Sequence, residues 1–307
     1  MDKILPQIVD VVSEVLRPIR CSLMLIYDNG ELRIKAGKNI CVTVVRGLRL
    51  KPGEGVAGRA LETGLPVMVR DVSTSEYYYK LFSPEVKPLR KEALIAVPLK
   101  FQDKNYGVLN LHFKIIKKFP RSRFEGLILS IIAEQTSAAI HRCYTFYAVV
   151  SDSMTKLYNH DYIIKRLQEE IVLANKFNTK LSLVMFDIDH FKQINDKYGH
   201  QVGDLVITTI SEVIRDNVRI TDIAGRYGGE EFCLILPHTS LRQAVIVAER
   251  LRQEVCSRKF FTSNGEITVT CSFGVKEFSG ETFDELISKT DELLYRAKSL
   301  GRNRVCY

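Results

Sequence analysis

Apolar and polar positions in the front half of the chain follow a strand pattern. An apolar run from Cys21 to Ile26 precedes the turn "YDNGE", and the alternating stretch "ELRIKAG" after it has the pattern of a hairpin partner. Further strands are predicted in "LPVMVRDV", "EALIAVPLKF" and "NYGVLNLHF". The glycine-bounded segment "PGEGVAGRALETG" predicts a short helix. The pattern therefore indicates a mostly antiparallel sheet flanked by helices.

One long helix is predicted across the middle of the chain. Residues 121–147 contain no proline and a single early glycine, and their apolar positions recur at intervals of three and four. The periodicity ends at "SDSM" and "TKLYNHDYI". We therefore expect a first domain of residues 1–147 with an exit helix over about 124–150, and a second domain of residues 148–307.

The second half alternates strand and helix patterns. Strands are predicted in "KLSLVMFDID" and "EITVTCSFGV", and two strands joined by a tight turn in "TDIAGRYGGEEFCLILP". The helical segments are "GDLVITTISEVIRDNV", "SLRQAVIVAERLRQEVCS" and "TFDELISKTDELLYRAKSLG". Strand-helix alternation with one hairpin predicts a mixed sheet with helices on its faces, so the fold class is α/β in the broad sense, that is α+β.

Composition narrows the class of protein. A chain of 307 residues is too long for one average core, and 46% apolar with 26% charged residues is typical of a globular protein. No apolar run approaches the ~20 residues that cross a bilayer, and the amphipathic start "MDKILPQIVDVVSEVL" does not have the pattern of a signal peptide. Seven cysteines, an odd number scattered singly in apolar segments, indicate reduced thiols and a cytoplasmic location.

The net charge of +8 is compatible with a nucleic acid, an acidic membrane surface or a polyphosphate substrate. The sequence has no run of arginine and lysine interleaved with aromatic residues, no zinc-finger spacing and no basic helix with a clean apolar face. We therefore expect no nucleic-acid partner and no membrane partner.

Acidic residues follow a strand and a glycine turn in the second half. Asp187 ends an apolar strand, where ligands of α/β sheets commonly bind. Glu230 and Glu231 come directly after Gly228 and Gly229 in "RYGGEEF". Two carboxylate-bearing strands at one edge predict an oxygen-lined magnesium site, and the glycines leave room for a phosphate or a sugar. The alternative is a routine hairpin turn with solvated glutamates, beside an exposed strand end.

Five sequence blocks resemble the GGDEF family of diguanylate cyclases, and the resemblance covers essentially the whole second half. They are, in the family's order and spacing, "DSMTKLYNHDYI", "FDIDHFKQINDKYGHQVGD", "RYGGEEF", "TCSFGV" and "DELLYRAKSLGRNRV". The signature is "GGEEF" here, the common variant with glutamate in third place, which exchanges one acid for another. The implied fold is a mixed-sheet domain that resembles the palm of nucleotidyl cyclases and polymerases.

The resemblance implies an enzyme that condenses two GTP molecules into cyclic di-GMP and two pyrophosphates. Each GTP would be bound by one subunit of a homodimer, so that the active site forms between two facing domains. In-line attack of a ribose 3′-hydroxyl on an α-phosphate suits catalysis by Mg²⁺ or Mn²⁺. By position, Asp187, the carbonyl of Ile188 and Glu230 would hold the metal, and Glu231 would help to activate the hydroxyl.

The resemblance also assigns two residues to the base. Asn195 and Asp204 match the pair that reads guanine, with the aspartate accepting from N1–H and the exocyclic amine, which are donors that adenine lacks there. The alternative is that Asn195 caps a turn and Asp204 caps the following helix. Either cap is compatible with contact to the base.

The other substrate-binding positions implied by the family's pattern are Phe191, Lys192, Lys298, Arg302, Gly228 and Gly229. The first two lie at the triphosphate loop, and Lys298 and Arg302 match the phosphate clamp. Because these two are four residues apart, the alternative is an ordinary basic turn at the end of a helix.

A product-inhibition site is implied by "RITD". Arg219 and Asp222 precede Gly228 with five intervening residues, which is the family's spacing. The pattern R-x-x-D also occurs by chance on helix surfaces. Arg250, on the next predicted helix, would complete the site from the same or a neighbouring domain, since a guanidinium suits phosphate and guanine edges.

The front half resembles a GAF domain, a small-molecule-sensing α/β module. The matching stretches are "LKPGEGVAGRALETGLPVMVRDV" and "ALIAVPLKFQDKNYGVLNLH", followed by the long exit helix. The family binds cyclic nucleotides, haem, bilins or no known ligand, so we expect an unidentified small-molecule partner.

Side chains that would contact such a ligand each have a structural alternative. Cys21, Cys41 and Cys143 are candidate bilin attachment points or core residues. His112 is a candidate haem neighbour or a packed side chain. The tyrosines of "SEYYYKLFSPEV" would cover a pocket or belong to an ordinary surface turn.

The exit helix offers a way to pair two copies. An apolar stripe that includes Leu127, Ile131, Ala138 and Cys143 predicts parallel pairing, which would bring two catalytic domains together. The alternative is a helix that only packs on the GAF sheet. We expect a GAF-regulated diguanylate cyclase. Two other classes remain open: a receptor that binds cyclic di-GMP without making it, and a GAF sensor that acts through a protein partner.

Overall fold

The structure, a computed structural model, describes residues 4–27, 29–40, 47–75, 92–114, 123–262 and 265–307. The chain forms two compact units, Met1–Phe146 and Tyr147–Tyr307. Cys41 and the tyrosines at 77–79, which are candidate ligand contacts by sequence, lie outside the described residues. Among the described helices, none combines the length and the hydropathy that a bilayer span requires.

The first unit is built on a six-stranded sheet. Its described helices and strands are α1 (Ile4–Leu16), β1 (Arg20–Ile26), β2 (Leu32–Lys38), β3 (Arg49–Leu50), α2 (Gly55–Thr63), β4 (Val67–Val69), β5 (Glu92–Phe101), β6 (Lys104–Lys114) and α3 (Arg123–Val150). The strands are ordered β3-β2-β1-β6-β5-β4, and every neighbouring pair is antiparallel. The antiparallel sheet expected from the alternating pattern is confirmed.

Two apolar layers cover the faces of this sheet. Cys21 and Leu23 of β1 pack with Leu5 of α1 and Ile140 of α3, whereas Met24 packs in the layer that contains α2. Successive side chains of a strand point to opposite faces, so a strand buried on both faces has a continuous apolar run. Cys21 is fully buried and burial raises the pKa of its thiol to about 12, which fits a core residue and not an attachment point.

The second unit is built on a five-stranded mixed sheet. After the end of α3, its described helices and strands are α4 (His160–Phe177), β7 (Leu181–Ile188), α5 (Phe191–Tyr198), α6 (His200–Asn217), β8 (Ile223–Arg226), β9 (Glu231–Pro237), α7 (Leu241–Ser257), β10 (Phe260–Thr262), β11 (Gly265–Ile267), β12 (Cys271–Glu277), α8 (Phe283–Ser299) and β13 (Val305–Cys306). The strand order is β13-β12-β7-β9-β8, with β12 and β13 parallel and the other pairs antiparallel. This agrees with the predicted α+β class.

Helices cover both faces of the second sheet. The even-numbered positions of β7, such as Val184 and Phe186, pack in one core with α6 and α7. The odd-numbered positions, such as Leu183 and Met185, pack in another with α4 and α8. Asp187 is an odd-numbered position and therefore lies on the face of α8.

Several details differ from the predicted elements, and the 18-residue helix α4 was not predicted at all. The short helix α5 was not predicted, because its eight residues are too few to show a period. A glycine with φ of 86°, Gly199, separates it from α6. The stretch "EITVTCSFGV" forms two strands, β11 and β12, instead of one. The predicted helix "TFDELISKTDELLYRAKSLG" begins after a Thr282–Glu285 capping box and ends at Ser299.

Candidate active site

Two strand ends bring the predicted carboxylates together. Asp187, near the end of β7, is the register partner of Glu231, at the start of β9. Residues directly opposite each other point to the same face of a sheet, with Cβ atoms about 5 Å apart. The N–H of Ile188 donates to the carbonyl of Glu230 at 3.3 Å. These four predicted residues are therefore neighbours at one edge of the sheet.

Three stacked phenylalanines support this edge from the opposite face. Phe186 precedes Asp187, and its ring centroid lies 5.2 Å from that of Phe232 and 4.5 Å from that of Phe273. All three rings are fully buried. A slip of one residue in the register would exchange a buried ring with a carboxylate, so the ladder fixes which side chains face the site.

The carboxylate of Asp187 is buried and paired with a cation. Asp187 is 8% exposed, so the alternative of an exposed strand end is wrong. Its Oδ2 atom lies 3.0 Å from Nζ of Lys298 in α8. Burial raises the pKa of Asp187 above its usual range, and Lys298 partly opposes that shift. Burial and the Asp187 charge also raise the pKa of Glu230.

The donor set fits a hard divalent cation. Asp187 and Glu230 are carboxylates at one sheet edge whose pKa values are raised mainly by burial. Carboxylate oxygens are the ligands that hard divalent cations such as Mg²⁺ or Mn²⁺ prefer. Within the described residues, no group of three or more His, Cys, Asp or Glu side chains is arranged to hold a metal. Magnesium usually takes one or two carboxylates and completes its shell with water and substrate, so this set is sufficient.

Neither glycine of the turn between β8 and β9 has a positive φ. The backbone conformation of the turn therefore does not require glycine, and the effect of these residues is to leave space beside the backbone. A Cβ atom on Gly228 would lie 2.6 Å from Oε2 of Glu231, whereas Gly229 faces open space. The N–H groups of Tyr227 and Gly228 both donate to the carbonyl of Glu231, at 2.8 and 3.2 Å. The turn thus has an open backbone beside the carboxylates.

Arg226 holds this turn and was missed by the sequence prediction. Its guanidinium donates to the carbonyls of Gly228 and Gly229 at 2.7–3.1 Å, and it lies 3.4 Å from the carboxylate of Asp152. Burial raises the pKa of Asp152, but hydrogen bonds from Thr155 and the Arg226 charge together hold it below the usual range. Asp152 lies in the family block "DSMTKLYNHDYI" and Arg226 lies in "RYGGEEF". Membership of these blocks was the only sign in the sequence that the two residues belong to the site.

The predicted guanine-reading residues lie on adjoining helices. A Cβ atom on Gly203 of α6 would lie 2.0 Å from Oδ1 of Asn195 in α5, so the glycine permits this close approach. The same Oδ1 atom is buried without a hydrogen-bond partner. Asp204 follows Gly203 and is exposed. The capping alternative is wrong for both, because the helices are capped by His190 and Gly199.

The predicted triphosphate loop presents backbone more than side chains. Phe191 is buried in the core beside α6, whereas Lys192 is exposed. They are the first two residues of α5, after His190 in the left-handed conformation. N–H groups in the first turn of a helix have no intrahelical acceptor, so they are available to an anion.

The two residues of the predicted phosphate clamp do not share a helical face. Lys298 lies in the last turn of α8, but Arg302 lies beyond the helix, after Gly301 with φ of 110°. The alternative of an ordinary basic helix end is therefore wrong for Arg302. Its own φ is 62°, and its N–H donates to the carbonyl of Ala297 at 3.0 Å.

The "RITD" motif forms a turn between α6 and β8, not a helix surface. The N–H of Arg219 donates to Oδ2 of Asp222 at 2.8 Å, and the N–H of Asp222 donates back to the carbonyl of Arg219 at 3.0 Å. Arg250 of α7 donates to the carbonyl of Asn217. Arg250 therefore contacts the last residue of α6, two residues before Arg219, and Arg219 itself is exposed.

In the first unit, His112 belongs to a polar cluster. Arg20 pairs with Glu92, and Nδ1 of His112 lies 3.4 Å from the same carboxylate. That distance would favour a charged imidazole, but burial and the Arg20 charge lower the pKa of His112 to about 3. The ion pair of Glu92 is therefore with Arg20, and His112 is neutral. This packed histidine fits its structural alternative better than a haem neighbour.

Comparison with protein families identifies both halves of the chain. Residues 149–304 match the family "Diguanylate cyclase, GGDEF domain", and residues 1–140 match the GAF domain. Both resemblances are confirmed, in the predicted order.

Individual relatives match parts of the chain. Diguanylate cyclase A of Treponema denticola is 36% identical over 214 residues, which are 68% of this chain and 58% of that protein. Diguanylate cyclase DosC of Escherichia coli K12 is 40% identical over 161 residues, which are 52% of this chain and 35% of that protein. The chain thus spans between about a third and three fifths of these curated relatives.

Among solved structures, the coiled coil and GGDEF domain of DgcB from Caulobacter crescentus, in complex with c-di-GMP, is similar to this chain. The identity is 31%, the TM-score is 0.53, and the match covers 60% of this chain and 99% of that chain.

Proposed function

Because the chain belongs to the GGDEF family of diguanylate cyclases, we propose that it condenses two GTP molecules into cyclic di-GMP and two pyrophosphates. The observation that carries the proposal is the buried carboxylate edge, where Asp187 and Glu231 stand opposite each other beside the Lys298 ammonium. A cation site next to a basic group is what a magnesium nucleotide requires. The open glycine turn and the helices α5 and α6 lie in the same unit.

Asp187, Glu230 and the carbonyl of Ile188 are the groups that would hold Mg²⁺ or Mn²⁺. When bound, the metal would neutralise charge on the phosphates and lower the pKa of the attacking hydroxyl. Glu231 stands opposite Asp187, with its Oε2 atom over Gly228. We assign to it the orientation of the ribose 3′-hydroxyl and the acceptance of its proton.

Guanine specificity is assigned to Asn195 and Asp204. The Oδ1 atom of Asn195 is buried and unpaired, and such an acceptor gains a hydrogen bond when a donor arrives. The exposed carboxylate of Asp204 is a second acceptor, suited to N1–H and the exocyclic amine of guanine. An adenine would leave both acceptors without these donors.

The triphosphate is assigned to groups around the same edge. Lys298 and Arg302 supply positive charge. The first-turn N–H groups of Phe191 and Lys192 supply hydrogen-bond donors. The glycine turn at Gly228 and Gly229 lets a phosphate come close to the backbone. Pyrophosphate is the leaving group, so these residues stabilise the charge that develops on it.

A homodimer follows from the proposed reaction, because the second unit of each chain would bind one GTP and two GTP molecules are needed. The helix α3 supports pairing: Leu127 is 56% exposed and Ile131 is 49% exposed, while Leu129 and Ile140 pack on the sheet of the first unit. One face of the helix therefore packs on the GAF sheet, and another face exposes apolar side chains. Ala138 and Cys143, also in the predicted stripe, are partly buried.

Product inhibition is proposed at Arg219, Asp222 and Arg250. The exposed guanidinium of Arg219 and the carboxylate of Asp222 lie on one turn, and Arg250 binds the end of the helix that precedes this turn. This pair offers a donor fork for phosphate and an acceptor for a guanine edge. Binding of the product there would prevent the catalytic domains of two chains from facing each other.

Regulation is proposed to come from the GAF unit, through a small molecule that is not identified. The exit helix α3 runs from Arg123 to Val150 and is continuous, so a change in its pairing is a route from one unit to the other. We place the reaction in the cytoplasm, where GTP is available, and the free thiols of the described cysteines agree with a reducing compartment.

The test is an incubation of the purified full chain with GTP and Mg²⁺, with products separated by ion-exchange chromatography against a cyclic di-GMP standard. ATP in place of GTP is the control. We expect cyclic di-GMP and two pyrophosphates for each product molecule from GTP, and no cyclic product from ATP. Binding of added cyclic di-GMP without any synthesis would contradict the proposal and favour a receptor.

A further inference from the structure

A second aspartate, Asp189, is buried near the carboxylate edge and accepts three hydrogen bonds from the protein. It is 4% exposed. Its Oδ1 atom accepts from the hydroxyl of Ser272 at 2.7 Å, and its Oδ2 atom accepts from the hydroxyl of Thr270 at 2.7 Å and from the N–H of Asn303 at 3.0 Å. Three of the roughly four lone-pair sites of this carboxylate are therefore used by protein donors.

The last of these donors belongs to the turn that carries Arg302. Asp189 and Asn303 are 114 residues apart in the chain, so this bond ties the end of β7 to the turn between α8 and β13. Arg302 and Asn303 have φ of 62° and 44°. Two successive left-handed residues without glycine are unfavourable, and such a conformation persists only where surrounding contacts impose it.

Other contacts hold the same turn. Nη1 of Arg252 donates to Oδ1 of Asn303 at 2.8 Å, and the amide nitrogen of Asn303 lies 3.9 Å from Sγ of Cys256. The N–H of Phe273 in β12 donates to the carbonyl of Arg304 at 2.9 Å. The side chain of Asn303 is therefore bound by residues of α7, and its backbone N–H is bound by Asp189.

From this geometry we propose that Asp189 is a positioning residue, which fixes Arg302 at a set distance from Asp187. Asp187 and Asp189 are two residues apart on one strand end, and the anchored turn follows the Lys298 helix. The phosphate-binding cation and the metal-binding carboxylate are thereby held on one rigid frame. This inference rests on the proposed function, because it takes Arg302 to bind the triphosphate.

The test uses the variants Asp189→Asn and Arg302→Ala and the double variant, in the full chain. Asp189→Asn keeps the shape but places an amide against donors that need an acceptor. Affinity for GTP with Ca²⁺ and affinity for guanosine are measured by calorimetry, with Asp216→Asn on the exposed face of α6 as the matched control.

We expect Asp189→Asn to weaken GTP binding about tenfold, since a charge-assisted contact is at stake, and to leave guanosine affinity unchanged because guanosine has no phosphate. In the Arg302→Ala background the same change is expected to weaken GTP binding less than about twofold, since coupled residues are not additive. The control is expected to match the unaltered chain.

Three results would overturn the inference: equal losses for GTP and guanosine, additive losses in the double variant, or an unchanged GTP affinity in Asp189→Asn. If Asp189→Asn does not fold, Thr270→Val, which removes one hydroxyl donor to Asp189 Oδ2 and keeps the carboxylate, is expected to give a smaller loss that is again selective for GTP. Failure of the unaltered chain to make cyclic di-GMP while it binds GTP would count against the proposed function alone.

Discussion

The ammonium of Lys298 lies 3.0 Å from Oδ2 of Asp187. One cation from the last helix thus compensates a buried carboxylate on the central strand, and the same cation is in reach of whatever that carboxylate binds. The raised pKa of Asp187 follows from its burial in spite of this pairing. The pair therefore links the stability of the sheet edge to the chemistry assigned to it.

Removal of this cation tests its double assignment. We expect Lys298→Met to lower kcat for cyclic di-GMP synthesis on the order of 100-fold, because a charged group opposite the leaving phosphates is lost. Lys289→Met, on the same helix and 3.9 Å from Glu281, is the matched control. Equal rates in the two variants would remove Lys298 from the proposed phosphate set.

A second prediction concerns the free energy of unfolding at the carboxylate edge. Burial and Asp187 raise the pKa of Glu230 in the folded chain, so its ionised form opposes folding at neutral pH, and the penalty disappears as the pH falls below the ordinary carboxylate range. We expect Glu230→Gln to raise Tm in metal-free buffer at pH 7, to lose that advantage at acidic pH, and to abolish synthesis.

Glu254→Gln, an exposed acid on α7, is the control for this change and is expected to alter neither property. A lower Tm for Glu230→Gln at pH 7 would show that partners within the protein stabilise the ionised carboxylate, and would contradict its assignment as a metal ligand that lacks such partners.

The Arg226–Asp152 contact gives a third prediction. Arg226 braces the carbonyls of the glycine turn and is itself paired with Asp152. We expect Arg226→Lys to lower kcat about tenfold or more with a smaller change in KM, since the single ammonium nitrogen of lysine cannot reach acceptors that three different guanidinium nitrogens contact. Arg242→Lys, at the start of α7, is the control in the same assay. An unchanged kcat would mean that the turn keeps its shape without the guanidinium.

A fourth prediction follows from His112 in the first unit. Its pKa is lowered from 6.5 to about 3 by burial and Arg20. Between these two pH values, His112 is protonated in the unfolded chain and neutral in the folded chain. Its contribution to stability is complete above pH 6.5 and is lost as the pH falls towards 3, at ~1.4 kcal/mol per pH unit. We expect His112→Gln to flatten the acid limb of the first unit's denaturation profile.

The exposed His160 in the second unit serves as the control, and His160→Gln is expected to leave that limb unchanged. A profile for His112→Gln that is as steep as that of the unaltered chain would assign the acid sensitivity to other groups.

A fifth prediction tests the proposed inhibition site. We expect Arg219→Ala to leave the initial rate of synthesis unchanged and to raise the plateau of cyclic di-GMP several-fold, because the product no longer restrains the units. Progress curves with added product measure this directly. Arg258→Ala, an exposed arginine after α7, is the control. A plateau equal to that of the control would exclude inhibition at this turn.

Patterns that depend on neighbouring residues were predictable from the sequence. The run that ends at Asp187 and the glycines before Glu230 predicted a strand end beside a hairpin, and the register confirms that these lie together. The antiparallel first sheet and the mixed second sheet follow in the same way from alternation and apolar periodicity.

Contacts between distant residues were not predictable. Arg226 and Asp152 are 74 residues apart, and Asp189 and Asn303 are 114 apart, so no local period reports either pair. The helix α8 was predicted to end at Gly301, but the left-handed φ of Arg302, which separates it from the helical face of Lys298, was not predictable because the two residues have helical spacing. The role of Gly203 depends on how closely α5 approaches α6, which only the packing decides.

The most direct test of the central claim counts the products of the unaltered chain and of Asp187→Asn. Both are incubated with GTP and Mg²⁺, and cyclic di-GMP and pyrophosphate are quantified after equal folding is established by circular dichroism. We expect one cyclic di-GMP for every two pyrophosphates from the unaltered chain, and no product from the variant. Synthesis by the variant at an unreduced rate, or none by an unaltered chain that binds GTP, would contradict the assignment of this carboxylate edge as a cyclase site.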